Sequence, residues 1–369
     1  MPGGGQPAQG WSGVVSQEGM IYVGSMKGEV VAVNSSTRNL EWSYALPIQS
    51  SSSIMSCGRT SAPAPIYGTP AVDGDLVYIG SYNGKVLALS SSARSQGLPF
   101  PQARSGEWLY SGTEEVIGGI VASPVVDEDA IYVTSSDGRV YSLNRDFGDL
   151  NWKSDILGEK LWTLPVIESD TIYVSTFDGY IYALSTETGK KLPWSFKAEV
   201  GFVSSPVLYK DIIFVGSFDN NLYAIKIGDD KALWKFPASR WFWAALVVKD
   251  GVVYAGCLDG KIYAITGETG EELWEFDTGS PIVSSPVLVD DLLVVAAESG
   301  NVFVINSKTG DKERVRNPGT TSERTIDAPV RASLCAHEGM VYIHAQDDRL
   351  YVVDINERKV HESFPLTIK

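Results

Sequence analysis

One unit recurs through this chain and limits what it can fold into. FVSSPVLYKDIIFVGSFDNNLYAIKIGDDKALWKF, FWAALVVKDGVVYAGCLDGKIYAITGETGEELWEF and IVSSPVLVDDLLVVAAESGNVFVINSKTGDKERVR follow one another from Phe202 to Arg316. Each reads as a small-residue and apolar segment, a turn, a β-rich segment, an Asp/Gly or Asn turn, and a second β-rich segment. A Thr-Gly or related turn and a last short strand, often with Trp, complete it. The turn before the third strand recurs at Gly28, Gly84, Gly138, Gly179, Asn220, Gly260, Gly300 and Asp348. That makes eight copies of one four-strand antiparallel meander. In SSDGRVYSL and CLDGKIYAI the Asp-Gly pair fits a two-residue hairpin turn with positive φ.

A single meander cannot bury both of its faces, so the copies must pack on one another. Radial packing into a closed ring does this for all eight, and fits better than two sandwiches or a linear solenoid. The expected fold is therefore all-β, a single eight-bladed β-propeller of four-stranded antiparallel blades. The expected blades are 11–46, 66–112, 119–155, 160–197, 201–237, 241–277, 281–317 and 329–366, after a flexible leader at 1–10. An insertion at 47–65 separates the first two blades, and another at about 91–105 interrupts the second. They carry Cys57, Arg59, Arg94 and Arg104 and read as surface loops that can contact a partner. Each copy runs from an inner to an outer strand, so closure is expected mainly by packing of the last blade on the first. The leader or the tail LTIK offers a closing strand as the alternative.

The ten tryptophans divide almost completely between two columns. Trp42, Trp108, Trp152, Trp194, Trp234 and Trp274 belong to the fourth strand, where broad apolar faces seal one blade against the next. The seventh and eighth blades carry Arg314 and Glu362 instead, with Phe364 as a local substitute in the last.

The other tryptophans mark the candidate site. Counting 17 residues back from each hairpin marker gives Trp11, Tyr67, Val121, Trp162, Val203, Trp243, Val283 and Arg331, expected to enter the innermost strands near the central channel. The preceding column is mainly apolar, from Gly10 and Ile66 to Val330, and should pack beneath the loops. The column before that includes Lys160 and Trp241, placed on the rim. Strand alternation puts Trp241 and Trp243 on one face with Phe242 on the other, and Arg240 beside them. Trp11, Tyr67, Lys160, Trp162, Arg240, Trp241, Trp243 and Arg331 are the expected ligand- or partner-binding residues. Tyr and Trp offer apolar area with a polar handle, and the cations can pair with an acidic or carbonyl-bearing partner. The competing reading makes the same aromatics a plug for a wide channel.

Charge narrows the partners. Lys and Arg total 30 against 45 Asp and Glu, a formal net charge of -15, which argues against binding nucleic-acid backbones or anionic membranes. No apolar run is long enough for a spanning helix. The first residues lack the charged and apolar regions of a secretory signal. Cys57, Cys257 and Cys335 have no metal-like spacing, and His337, His344 and His361 make no recognised metal motif. Asp290-Asp291 and Glu114-Glu115 read as solvated turns, and no catalytic elbow, zinc helix or phosphate loop is present. No catalytic, metal or cofactor-binding residue is assigned.

The repeated forms SSPVL, VGS.DG.IYAL and ETG..LW.F, clearest from Val203 to Phe276, resemble the quinoprotein-like propeller repeat family over nearly the whole chain. That resemblance implies the propeller fold. The family holds pyrroloquinoline quinone dehydrogenases and noncatalytic scaffolds, among them an outer-membrane protein assembly lipoprotein. Its enzymes carry a vicinal cysteine disulfide, a calcium site and an active-site carboxylate; this chain has no adjacent cysteines, and none of those ligands can be assigned here. The expected function is a noncatalytic binding or assembly scaffold whose rim meets a protein or peptide, or a small planar ligand or carbohydrate. The alternative is an oxidoreductase using pyrroloquinoline quinone and calcium on an alcohol or sugar. Resemblance to the scaffolds implies an extracytoplasmic or periplasmic location.

Overall fold

The computed structural model describes residues 12–46, 64–92, 100–102, 105–112, 117–158, 160–313, 315, 325–361 and 363–366. Its strands form eight antiparallel sheets, each built from consecutive strands with no crossover, and together they make the ring of an eight-bladed propeller. Blade six is representative: Val247–Lys249, Val252–Gly256, Lys261–Thr266 and Glu272–Asp277, from the innermost strand to the outermost. The second and third strands are almost entirely buried because neighbouring blades cover both of their faces. The outer strand keeps the in-out alternation of a sheet with one wet side.

All eight hairpin markers have positive φ, from 62° at Asp348 to 93° at Gly260. The loop is one residue longer than the sequence pattern predicts. In blade three Ser135 N–H donates to Arg139 O (3.0 Å) and Gly138 N–H to Ser135 O (3.0 Å), so residues 136–138 form a three-residue turn. Asp137 caps it by accepting from Arg139 N–H at 3.1 Å. A type I turn followed by a left-handed residue uses the same Asp-Gly pair as the shorter turn, which is why composition alone did not separate them.

Eight apolar clusters occupy the eight blade junctions. The outer tryptophans seal these junctions as their column predicts. Trp108 Nε1 donates to Arg145 O (2.8 Å), Trp152 to Thr186 O (2.7 Å) and Trp274 to Ser307 O (3.0 Å), in each case in the next blade's third turn. Arg314 and Glu362 lie outside the described residues; Phe364 packs on the cluster joining the last blade to the first. That closing cluster includes Ile21, Val23, Tyr342, Leu350 and Leu366. His344 Nδ1 meets Ser12 O at 3.0 Å and Lys27 pairs with Asp348 at 3.2 Å across the same seam. Phe364–Pro365 pairs within its own blade, so among the described residues no sheet combines strands from both ends of the chain. The leader lies outside the described residues.

The hairpin aspartates also lock the third strands. Tyr141, Tyr223, Tyr263 and Tyr351 donate to Asp137 (2.7 Å), Asp219 (2.6 Å), Asp259 (2.9 Å) and Asp347 (2.8 Å). Burial first, then the neighbouring carboxylate, pushes these phenols up, Tyr351 to about 12 and the other three beyond it. A phenol raised by folding stabilises fully below its ordinary value of 10.0 and loses that contribution as pH rises through its folded value. The melting temperature is therefore expected to hold from about pH 8 to pH 9.5 and fall above that. Tyr263→Phe should make the alkaline fall shallower in thermal scans by circular dichroism; an unchanged slope would contradict this assignment.

Candidate functional site

The connection from each outer strand to the next inner strand and the turn between second and third strands lie at the same end of the ring. Backbone bonds tie them together: Tyr82 N–H donates to Pro65 O, Phe218 to Gly201 O, Leu258 to Trp241 O and Gln346 to Pro329 O, at 2.9–3.0 Å. The candidate residues sit in these connections, ahead of the inner strands and not within them. In blade six the inner strand begins at Val247, four positions beyond Trp243. The two-residue alternation persists because the connection is extended.

The apolar column is fully buried: Ile66, Ile120, Leu161, Phe202, Phe242, Ile282 and Val330 are all at 0% exposure. Each belongs to the cluster shared with the preceding blade. Close packing there requires glycine opposite, as at Gly216, where a Cβ would lie 2.3 Å from Phe242 O. Burying Phe242 turns Trp241 and Trp243 the other way, and Trp241 stays 38% exposed while Trp243 is half-buried.

Trp162, Phe177, Phe218 and Trp241 form a continuous strip across blades four to six. Consecutive ring centroids are 5.5, 5.5 and 5.0 Å apart, each pair edge to face. Such pairs add about 0.5–1.5 kcal/mol beyond burial, so the strip is a preorganised surface. Lys160 Nζ lies 5.3 Å from the Trp162 ring centroid at one end, and exposed Arg240 adjoins Trp241 at the other. The Trp162 indole N–H is buried without an acceptor among the described residues.

Tyr67 stands apart from this strip, paired edge to face with exposed Tyr82 at 5.3 Å. Burial pushes the Tyr67 phenol up, and Tyr82 adds to that shift. Arg331 is half-buried and its guanidinium donates to Glu298 from Nε (2.7 Å) and Nη2, so its charge is met within the protein. Trp11 lies outside the described residues, as do Cys57, Arg59, Arg94, Arg104 and Glu114-Glu115. Tyr82, Phe177, Phe218 and Glu298 were missed by sequence reasoning. All four stand two residues before their hairpin markers, a column the same counting would have produced.

The described residues do not fit a quinone and calcium centre. Among the described residues no three His, Cys, Asp or Glu groups gather as a metal site. Cys257 and Cys335 are free thiols in different blades, the first buried and pushed up to about 12, first by desolvation. His337, His344 and His361 each lie nearest a different carboxylate, those of Glu338, Asp348 and Asp354. A cavity of about 340 Å³ opens at the opposite end of the ring between blades one and two, lined by Tyr22, Glu41, Asp75 and Ser91 among others. No helix among the described residues is long and apolar enough to cross a membrane.

A family model described as outer membrane protein assembly factor BamB matches residues 5–96, 101–205 and 136–240. The chain is 24% identical over 159 residues to BamB of Kangiella koreensis, covering 42% of this chain and 32% of that protein. It is 25% identical over 142 residues to BamB of Yersinia pestis, covering 38% and 33%. The matches thus span about a third of the length of these curated relatives. Among solved structures, BamB from Moraxella catarrhalis superposes with a TM-score of 0.69 at 17% identity, over 92% of this chain and 95% of that one. The computationally designed Ika8 protein gives 0.72 at 17% identity, over 94% and 96%. Saccharomyces cerevisiae Sqt1 gives 0.70 at 12% identity, over 97% and 96%. At these identities the superpositions speak for the fold alone.

Proposed function

This chain belongs to the family of outer membrane protein assembly factor BamB, and from that premise we propose that it is a noncatalytic scaffold whose aromatic and cationic rim holds another protein. The observation that carries this reading is the strip from Trp162 to Trp241, with Lys160 and Arg240 at its ends. Rings of this kind, partly wet and already in mutual contact, lose little freedom when a partner covers them. The rigid ring beneath supplies the preorganisation. The curated relatives are named for assembly of outer-membrane proteins, which supports a protein partner and an extracytoplasmic place of work for this chain.

A photo-crosslinking residue tests the proposal in the producing cell. Placed at position 241 it should yield discrete adducts with another protein, in a fraction that separates with extracytoplasmic markers. At position 147, a Phe that is 73% exposed in a third turn at the other end of the ring, it should yield several-fold less. Equal labelling at the two positions, or no adduct at 241, would overturn the rim as the contact surface.

A further inference from the structure

We propose that the rim groove over blades four to six takes an extended peptide segment with apolar side chains at alternate positions and an acidic residue at each end. This rests on the scaffold reading above and specifies its ligand. The shape comes from the middle blade. At the rim position occupied by Lys160 in blade four and Trp241 in blade six, blade five has buried Gly201. A Cβ there would lie 1.7 Å from Phe177 O, so no side chain can stand at that point. Phe177 and Phe218 are therefore the floor of a dip, with Lys160 and Trp162 on one side and Trp241, preceded in the chain by exposed Arg240, on the other.

The run of four rings, in steps of 5.0–5.5 Å, matches about five residues of extended chain at roughly 3.3 Å per residue. An extended segment puts alternate side chains on one face, and the floor offers aromatic edges and faces to receive them.

Charge fixes the ends. In a chain of net charge -15, Lys160 and Arg240 are exposed and meet no carboxylate at ion-pair distance among the described residues. Two other rim cations are already matched, Arg331 by Glu298 and Lys27 by Asp348. The nearby acids are not equivalent. Asp219 and Asp259 are held by Tyr223 and Tyr263, but Asp178 and Glu199 are exposed in the segments flanking the floor, two carboxylates against the one ammonium of Lys197, which donates to Asp178 O. The middle of the groove therefore disfavours negative charge while its ends favour it. That pattern selects a segment with terminal acids and works against a uniform polyanion such as nucleic acid or an anionic bilayer.

A short synthetic peptide with Leu, Phe and Leu at alternate positions, Thr between them, and Asp and Glu at its ends is the probe. Its counterpart has Lys at both ends. Fluorescence polarisation with the full chain should show the acidic peptide binding about tenfold more tightly, a preference that shrinks with salt. In the double variant Lys160→Glu and Arg240→Glu the preference should reverse. Trp241→Ala should weaken both peptides alike, with the circular dichroism spectrum unchanged in every variant. Equal binding of the two peptides, binding of neither, or an unreversed preference would overturn the inference. So would capture of phosphatidylglycerol vesicles that is lost in the double variant while neither peptide binds. The crosslinks at position 241 report separately: adducts there without peptide preference leave the scaffold reading standing and remove only this ligand.

Discussion

Trp108→Ala is expected to lower the unfolding free energy by about 3–5 kcal/mol, seen as a shift of the denaturation midpoint followed by circular dichroism. Trp108 is 5% exposed, lies 6.0 Å from Tyr78 centroid to centroid, and donates its indole N–H to Arg145 O across the junction between blades two and three. Its other face leaves no space: a Cβ on Gly148 would lie 2.4 Å from Trp108 Cε3, and Gly148 has φ of 74°. Removing the indole opens a cavity at a junction that cannot collapse without moving a whole blade. Trp108→Phe keeps most of the ring and leaves Arg145 O without that donor, so its cost should be nearer 1–2 kcal/mol. Equal losses in the two variants would mean that the hydrogen bond, and not the ring, holds the junction.

The same pair of residues explains what was legible from sequence. Tryptophan in the fourth strand and glycine in the next blade's third turn recur because each shapes the other. Trp152 with Gly189, Trp234 with Gly270 and Trp274 with Gly310 repeat the contact. A constraint that recurs with the repeat can be read as a column, and so can a marker that needs positive φ. The aromatic strip was half legible for the opposite reason. Trp162 and Trp241 lie in connections between blades, whereas Phe177 and Phe218 lie in turns within them. Only the closed ring brings the two sets to the same edge. Arg331 was read as an available cation because Glu298, its partner 33 positions earlier, belongs to the preceding blade's turn. The residues of the strip were therefore identifiable one column at a time, while their mutual contacts depend on blade-to-blade geometry.

That geometry also locates the weakest joint. Seven junctions are bridged by chain passing from an outer strand to the next inner one; the junction of blade eight with blade one has no such link, and no shared strand among the described residues. It relies on the cluster around Ile21, Val23, Leu350 and Leu366 and on contacts such as His344 with Ser12 O. Leu350→Ala, at 0% exposure, should cost about 2–5 kcal/mol. Leu184→Ala in blade four, also at 0% exposure and in the cluster between blades three and four, falls in the same range and serves as its control. The two should differ in how the loss appears. Hydrogen exchange in Leu350→Ala should accelerate first in Val14–Gln17 and Cys335–His337, the facing inner strands at the seam, while blades four to six keep their protection. In Leu184→Ala the chain still spans the damaged junction, so exchange should rise at blades three and four and the seam should stay closed. Uniform acceleration round the ring in both variants would show that the blades unfold as one unit and that the missing link carries no local weakness.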